Sequence, residues 1–247
     1  MNIIKELLLN QLIKIPVIEK IAKKKHSTGR NNNPIEIKKV FEKISQNVIF
    51  ENTKVLELGP GHTFGVLELV RKSKAAMVCA IDITNYSDNI PIGIEFKLYD
   101  GGLIPYKNET FDVLFSWSVF EHIRLPNTTV HETHRILKKG GIAIHSIDLV
   151  DHFNYSWKKD KLIFNCLRYN VKLWNLMTWN RSNYVNRLRL SDWQNLFNVA
   201  GFDVEYFETT ESKIIESLYL KNKIKYLSKY TLNDAKTTSV YFVLKKR

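Results

Sequence analysis

A doubly wound α/β fold is predicted by three observations. From Thr53 onward, short apolar runs alternate with helical patterns, as βαβ units around a parallel sheet require. The first run, Lys54 to Leu58, leads directly into a glycine-rich turn and a helix, and open α/β sheets bind ligands at such strand ends. The last run ends the sequence with no helix after it, which leaves room for an antiparallel final strand inserted in the sheet.

Taken in order, Ile3, Ile4, Leu7, Leu8, Leu12, Ile15, Ile18 and Ile21 fall close to helical spacing. Residues Ile3 to Lys25 therefore read as amphipathic helix, broken or kinked at Pro16. Ser27 to Pro34 has loop composition, and Pro34 can begin a helix running toward Ile44. Residues 1–45 are expected as a helical extension and 46–247 as the main domain. Within it, strands are expected at Lys54 to Leu58, Ala76 to Ile81, Glu95 to Leu98, Phe111 to Ser116, Gly141 to Ile147, Phe202 to Phe207 and Ser239 to Leu244. Helices are expected at Gly65 to Arg71, Thr128 to Leu137 and Asp192 to Ala200.

Residues 149–190 follow the fifth strand and are too many for an ordinary connection, so a lid-like insertion is expected there. It is rich in aromatics: Phe153, Tyr155, Trp157, Phe164, Tyr169, Trp174, Trp179 and Tyr184. For most of them a local helical core is the expectation. Arg181, Arg187 and Arg189 could hold a phosphate or carboxylate, and Tyr184 and Arg187 are the preferred acceptor contacts because Asn180 to Arg189 is polar.

The 247 residues, 44% of them hydrophobic, suffice for one sizeable core with extensions. Two cysteines, Cys79 and Cys166, can build neither a disulfide framework nor a thiolate metal centre, and no metal is expected. A reducing cytoplasm fits that usage; no signal peptide and no spanning helix are read. The net charge of +12 is confined to the ends: residues 1–40 hold nine Lys/Arg against three Glu, and residues 221–247 hold eight against Asp234 alone. The middle is near neutral, which argues against a nucleic-acid partner for the presumed core.

The glycine-rich turn is Gly59-Pro-Gly61-His-Thr-Phe-Gly65, with Glu57 two residues before it. Its third glycine falls one residue late for the Gly-x-Gly-x-x-Gly of nicotinamide and flavin binders. Glu57-Leu-Gly59-Pro-Gly61 resembles instead the first motif of class I S-adenosylmethionine-dependent methyltransferases. Asp82, ending the second strand, matches that family's ribose-binding acid. Tyr99-Asp100-Gly101-Gly-Leu-Ile-Pro105 resembles its adenine-side turn, and Phe111 to Ile123 with Glu121-His122 is similar to its small-molecule, type 11-like branch. His134-Arg-Ile-Leu-Lys-Lys-Gly140-Gly141 resembles the branch's following helix and turn, with Lys139 where proline is usual.

The resemblance implies a Rossmann-like sheet of seven strands with an antiparallel last strand, and S-adenosyl-L-methionine as cofactor. It implies cofactor contacts at Glu57, Gly59, Gly61, Asp82, Asp100, Gly101 and Ser116. Asp112 is read as a structural residue at a strand start and is left out of the site.

If the acceptor must lose a proton, a base is needed, and His122 after the fourth strand is one candidate. Asp148 and His152 after the fifth strand are others, able to orient hydroxyls or to form an Asp-His pair. The expected function is methyl transfer to an O or N atom of a small, sugar- or lipid-linked acceptor. An RNA methyltransferase and a non-catalytic cofactor-binding protein of the same fold are the alternatives. Against the RNA reading, neither an Asn/Asp-Pro-Pro-aromatic motif nor a Pro-Cys nucleophile is present. Packing within the protein is the expected fate of the N-terminal helix, or pairing with a second copy. The alternative is an anionic membrane surface that meets Lys5, Lys14, Lys20 and Lys23 to Lys25, and would make a cytoplasmic enzyme peripheral to the membrane.

Overall fold

The computed structural model describes residues 3–18, 21, 32–87, 89–153 and 163–247. Its elements are α1 (Ile3–Leu12), α2 (Pro34–Ser45), β1 (Lys54–Leu58), α3 (Gly65–Lys72), β2 (Met77–Asp82), β3 (Glu95–Leu98), β4 (Phe111–Trp117), α4 (Pro126–Ile136) and β5 (Leu137–Asp148). They continue with α5 (Val171–Thr178), α6 (Leu190–Ala200), β6 (Phe202–Glu211), α7 (Lys213–Leu220), α8 (Leu232–Lys236) and β7 (Thr237–Lys246). The sheet has seven strands in the order β3-β2-β1-β4-β5-β7-β6, with β7 antiparallel. Strands β3, β2, β1, β4 and β5 pair in parallel. The final strand, with no helix behind it, is thus inserted between β5 and β6.

Two compact units divide the chain. Residues 27–147, 194–208 and 241–247 form one, which we call the sheet unit. Its core packs Ile44, Val55, Leu67, Val70, Val113, Phe115 and Ile144 with Tyr241 and Val243. Phe242, between those last two on the strand, points to the opposite face and packs edge-on against Phe197 at 5.2 Å. Helix α2 belongs to this unit: Asn33 caps it by accepting the Ile35 N–H at 3.0 Å, and its Ile37 lies where a side chain on Gly65 would be. Asp112 accepts the Lys54 N–H at 2.8 Å and pairs with Lys138 at 2.6 Å, tying the start of β1 to β4.

The second unit holds residues 1–26, 148–193 and 209–240. Its core includes Val150, Phe164, Trp174, Met177, Tyr184, Val185, Ile215 and Leu227. Aromatics of the expected insertion therefore form a local core: Trp174 donates its ring N–H to the Val185 carbonyl at 2.8 Å and meets Phe153 edge-on. Tyr155 and Trp157 lie outside the described residues.

The expectation that the N-terminal helix packs within the protein holds for one side of it: α1 lies against α5 with Leu7 on this unit's core, and Glu6 and Asn10 are buried there. Its other side is not covered as expected, since Ile4 and Leu8 are 71% and 61% exposed. The polar side chains have specific partners in this unit: Glu6 pairs with Arg181 at 2.9 Å, and Asn10 donates to the Leu176 carbonyl and accepts the Asn180 N–H, each at 2.8 Å. The helix also ends earlier than Pro16, at Leu12, whose carbonyl a continuing helix would press against the proline ring. The loop expected at Ser27 to Asn31 and the lysine run Lys23 to Lys25 lie outside the described residues.

Candidate active site

In the sheet unit the expected cofactor residues meet at the carboxyl ends of β1, β2 and β3. Parallel pairing sets Glu57 opposite Ala80 and Asp82 opposite Leu98, so Glu57, Asp82 and Asp100 come out along one edge. Gly59 donates its N–H to the Ile81 carbonyl at 2.8 Å, which holds the glycine turn against β2. Gly59 and Gly61 adopt φ of 77° and 65°, the left-handed region that glycine enters without strain. A Cβ on Gly59 would lie 2.6 Å from a Val119 methyl, so the turn after β1 packs directly on the segment after β4.

Glu57 is 7% exposed, and its Oε2 has no hydrogen-bond partner among the described residues. Burial, together with the neighbouring Asp82 carboxylate, pushes its pKa up to about 8. A buried carboxyl atom without a donor is costly unless something cationic meets it. Asp82 is buried as well and accepts the Gly61 N–H at 3.2 Å and the Thr84 N–H at 3.1 Å. Desolvation raises its pKa, against the lowering effect of those backbone donors. Asp100 is exposed, accepts the Gly102 N–H at 2.8 Å, and precedes Gly101, whose φ of 86° places it beside Ile83.

Ser116 stands differently from the other expected contacts. It is fully buried, and its hydroxyl is 2.8 Å from Nδ1 of His145, its register partner on β5. A side-chain contact with a ligand is not available to it; only its backbone could serve. His145 lies against a tilted Phe120 ring at 3.9 Å and stacks on Phe197 at 5.8 Å, and burial drives its pKa down to about 3, so it is neutral.

Phe120 opens a single 3₁₀ turn, Phe120–His122, that follows β4. Ser118, at φ 53°, donates to the Ser146 carbonyl at 2.8 Å and turns the chain; the His122 N–H then bonds the Val119 carbonyl at 2.9 Å. Phe120 is anchored in the core and Val119 lies on the glycine turn, while His122 at the end of the 3₁₀ turn is half-buried.

A family model described as a methyltransferase domain matches residues 30–206. The chain belongs to the methyltransferase family. Its methyl donor is S-adenosylmethionine, whose ammonium and sulfonium suit the donorless carboxyl atom of Glu57. No curated protein matches it in sequence. Solved structures share the fold. An S-adenosylmethionine-dependent methyltransferase from Mesorhizobium loti superposes with TM-score 0.55 at 10% identity, over 84% of this chain and 96% of the other. One from Methanosarcina mazei gives 0.54 at 15%, over 82% and 96%. The [4+2]-cyclase SpnF gives 0.54 at 14%, over 84% and 80%.

The remaining expected residues of the methyltransferase lie in the second unit. Asp148, the last residue of β5, accepts the Val150 N–H at 3.0 Å and sits 3.2 Å from Nε2 of the buried His152. Tyr184 is buried in that unit's core, edge-on to Trp179 at 5.6 Å. Arg187 donates to the carbonyls of Cys166 and Tyr169 and lies over the Trp174 ring. The suggestion that Arg189 holds an anion is corrected: it is 1% exposed and donates to the carbonyls of Leu149, Asp234 and Thr237.

Sequence reading passed over Ile83, Tyr86, Tyr99 and Val119. The tyrosines feel the Asp82 charge, which adds to burial in raising their pKa values. A signal was present for Ile83 and Tyr99, which directly follow or precede an acid at a strand end. None existed for Val119, whose contact with Gly59 joins segments far apart in the chain.

Proposed function

We propose that the enzyme transfers the methyl group to an oxygen or nitrogen of a small, sugar- or lipid-linked acceptor, with His122 taking the acceptor's proton. The observation that carries this is the packing of Val119 on Gly59, three residues before His122, whose N–H bonds the Val119 carbonyl. When bound, S-adenosylmethionine supplies a methyl group on a sulfonium, and in-line attack on it depends on positioning. In this reading Glu57 meets the amino-acid ammonium and Asp82 receives the ribose hydroxyls. Asp100 and Gly101 line the adenine edge, while Gly59 and Gly61 let the donor approach the backbone. A preformed phenolate or a neutral amine can attack without a base, whereas a sugar hydroxyl needs one, and a half-buried imidazole suits that task near neutral pH.

RNA methylation is the rival reading. It lacks a base-amine motif and a Pro-Cys nucleophile, and the positive charge sits at the chain ends. The likeness to a cyclase is a reminder that this fold hosts more than one reaction. Incubating the enzyme with labelled donor and a panel of sugar, lipid, phenolic and RNA acceptors identifies the class. With the responding acceptor, His122→Ala should lower turnover by about 10² to 10⁴ and leave donor affinity intact. Asp148→Ala is assayed alongside to test the Asp148–His152 pair. Turnover unchanged in both variants across a pH series overturns the base assignment, and label in RNA alone overturns the acceptor class.

A further inference from the structure

We propose that the exposed aliphatic face of α1 docks the protein on an anionic lipid surface. Single exposed apolar residues are ordinary, but here they share one side of one helix. Ile4, Leu8 and Leu12 follow one another at four-residue spacing, all exposed, and Ile15, Val17 and Ile21 continue the apolar surface beyond the helix end. The opposite side is held to its own unit by Leu7 against the core and by polar contacts: Glu6 to Arg181, and Asn10 to Leu176 and Asn180. Rolling the helix to bury Ile4, Leu8 and Leu12 would break an ion pair and several hydrogen bonds, so that face is committed outward.

Charge selects the occupant. Within α1 the single acid, Glu6, is turned inward on Arg181, while Lys5 on the helix and Lys14 just beyond it are exposed. A second copy would bring like charge against like charge. Nucleic acid would find cations but no aromatic ring to stack on, and the aliphatic residues would stay wet. An anionic bilayer interface satisfies both halves, taking the aliphatic side chains at the acyl boundary and the lysines at the head groups. None of the described helices is long and apolar enough to cross a membrane, which is consistent with a helix lying in the interface.

The test is flotation of the full chain with phosphatidylcholine vesicles, with and without phosphatidylglycerol, at low and high salt. Binding should require the anionic lipid and weaken with salt, and each lysine neutralised to Gln (Lys5 or Lys14) should lower partitioning by about fivefold. The exposed-face variant Leu8→Asp with Leu12→Asp should lower it more than tenfold. Circular dichroism and S-adenosylhomocysteine affinity should remain as in the parent, which separates loss of docking from loss of fold or of the donor site. Absence of vesicle binding by the parent overturns the proposal. So does a concentration-dependent dimer that Leu8→Asp abolishes while vesicles are ignored, or RNA binding that survives the leucine changes.

Discussion

The carboxylate of Asp82 accepts the backbone N–H of Gly61 at 3.2 Å. The last residue of β2 thereby holds the turn that follows β1, and its other oxygen takes the Thr84 N–H. One side chain both shapes the glycine turn and presents a carboxylate at the sheet edge. Its removal should therefore be felt in donor binding before it is felt in turnover.

Asp82→Ala is expected to weaken S-adenosylhomocysteine binding by about 1.5 to 3 kcal/mol, the range for charge-assisted hydrogen bonds. Asp82→Asn, which keeps an acceptor for the Gly61 N–H, should lose less. Titration calorimetry measures both. Tight NADH binding with no response to the sulfonium donor would overturn the placing of the site.

Glu57 makes the site sensitive to pH. Its folded pKa of about 8 stands above the ordinary 4.5, so between these values the folded protein keeps a proton that the unfolded chain has lost. Stability contributed by this group is complete below pH 4.5 and falls as pH rises to about 8. Glu57→Gln should leave the melting temperature nearly unchanged below pH 4.5 and raise it above pH 7, by at most about 5 kcal/mol in stability. Donor binding by the parent near pH 7 should release about one proton as Glu57 ionises against the ammonium, and the Gln variant should release none. Calorimetry in buffers of different ionisation enthalpy reads that proton directly.

Gly59→Ala meets two penalties, a φ of 77° and a Cβ pressed 2.6 Å from Val119. The left-handed backbone alone costs about 1 to 2 kcal/mol. Adding Val119→Ala should restore the steric part and leave the backbone part. Chemical denaturation of the single and double variants separates the two. Full recovery in the double variant would mean that the turn can relax its backbone.

Arg189 is the buried fastener of the second unit, joining the carbonyl of Leu149 to those of Asp234 and Thr237. Burial lowers its pKa to about 10, and its ring neighbour is Phe164, 4.3 Å away. Arg189→Met should cost about 3 to 5 kcal/mol, because the orphaned carbonyls stay desolvated. Arg189→Lys should recover part of it, having a charge but not the planar fork. Thermal melting checks both; a melt unchanged in Arg189→Met would show that water replaces the guanidinium.

Strand positions were legible wherever the signal was local. Lys54 to Leu58 and Glu95 to Leu98 were read with the bounds that the structure has, because an apolar run between turn residues needs no distant partner to be recognised. The same holds for the glycine turn, for Asp82 and for Asp100, whose placing follows from strand ends in a parallel sheet. Other residues had chemistry that two environments could accept. Ser116 read as a ligand contact, and the structure pairs it with His145, a neighbour across the sheet rather than along the chain.

By itself, then, the sequence determined the order of the strands, the family motifs and the list of acids at the strand ends, all of which depend on neighbours a few residues away, but not the helices α7 and α8 between the last two strands. Only the tertiary structure decided which side of each element faces inward. The period of α1 shows that Ile4, Leu8 and Leu12 share a face, but it carries no sign. That sign comes from Arg181, 175 residues along the chain, whose guanidinium pairs with Glu6 and turns the polar side in. Arg189 and Tyr184 illustrate the same limit: their side chains suit a ligand or a core, and the carbonyls and rings that surround them in the fold decide for the core.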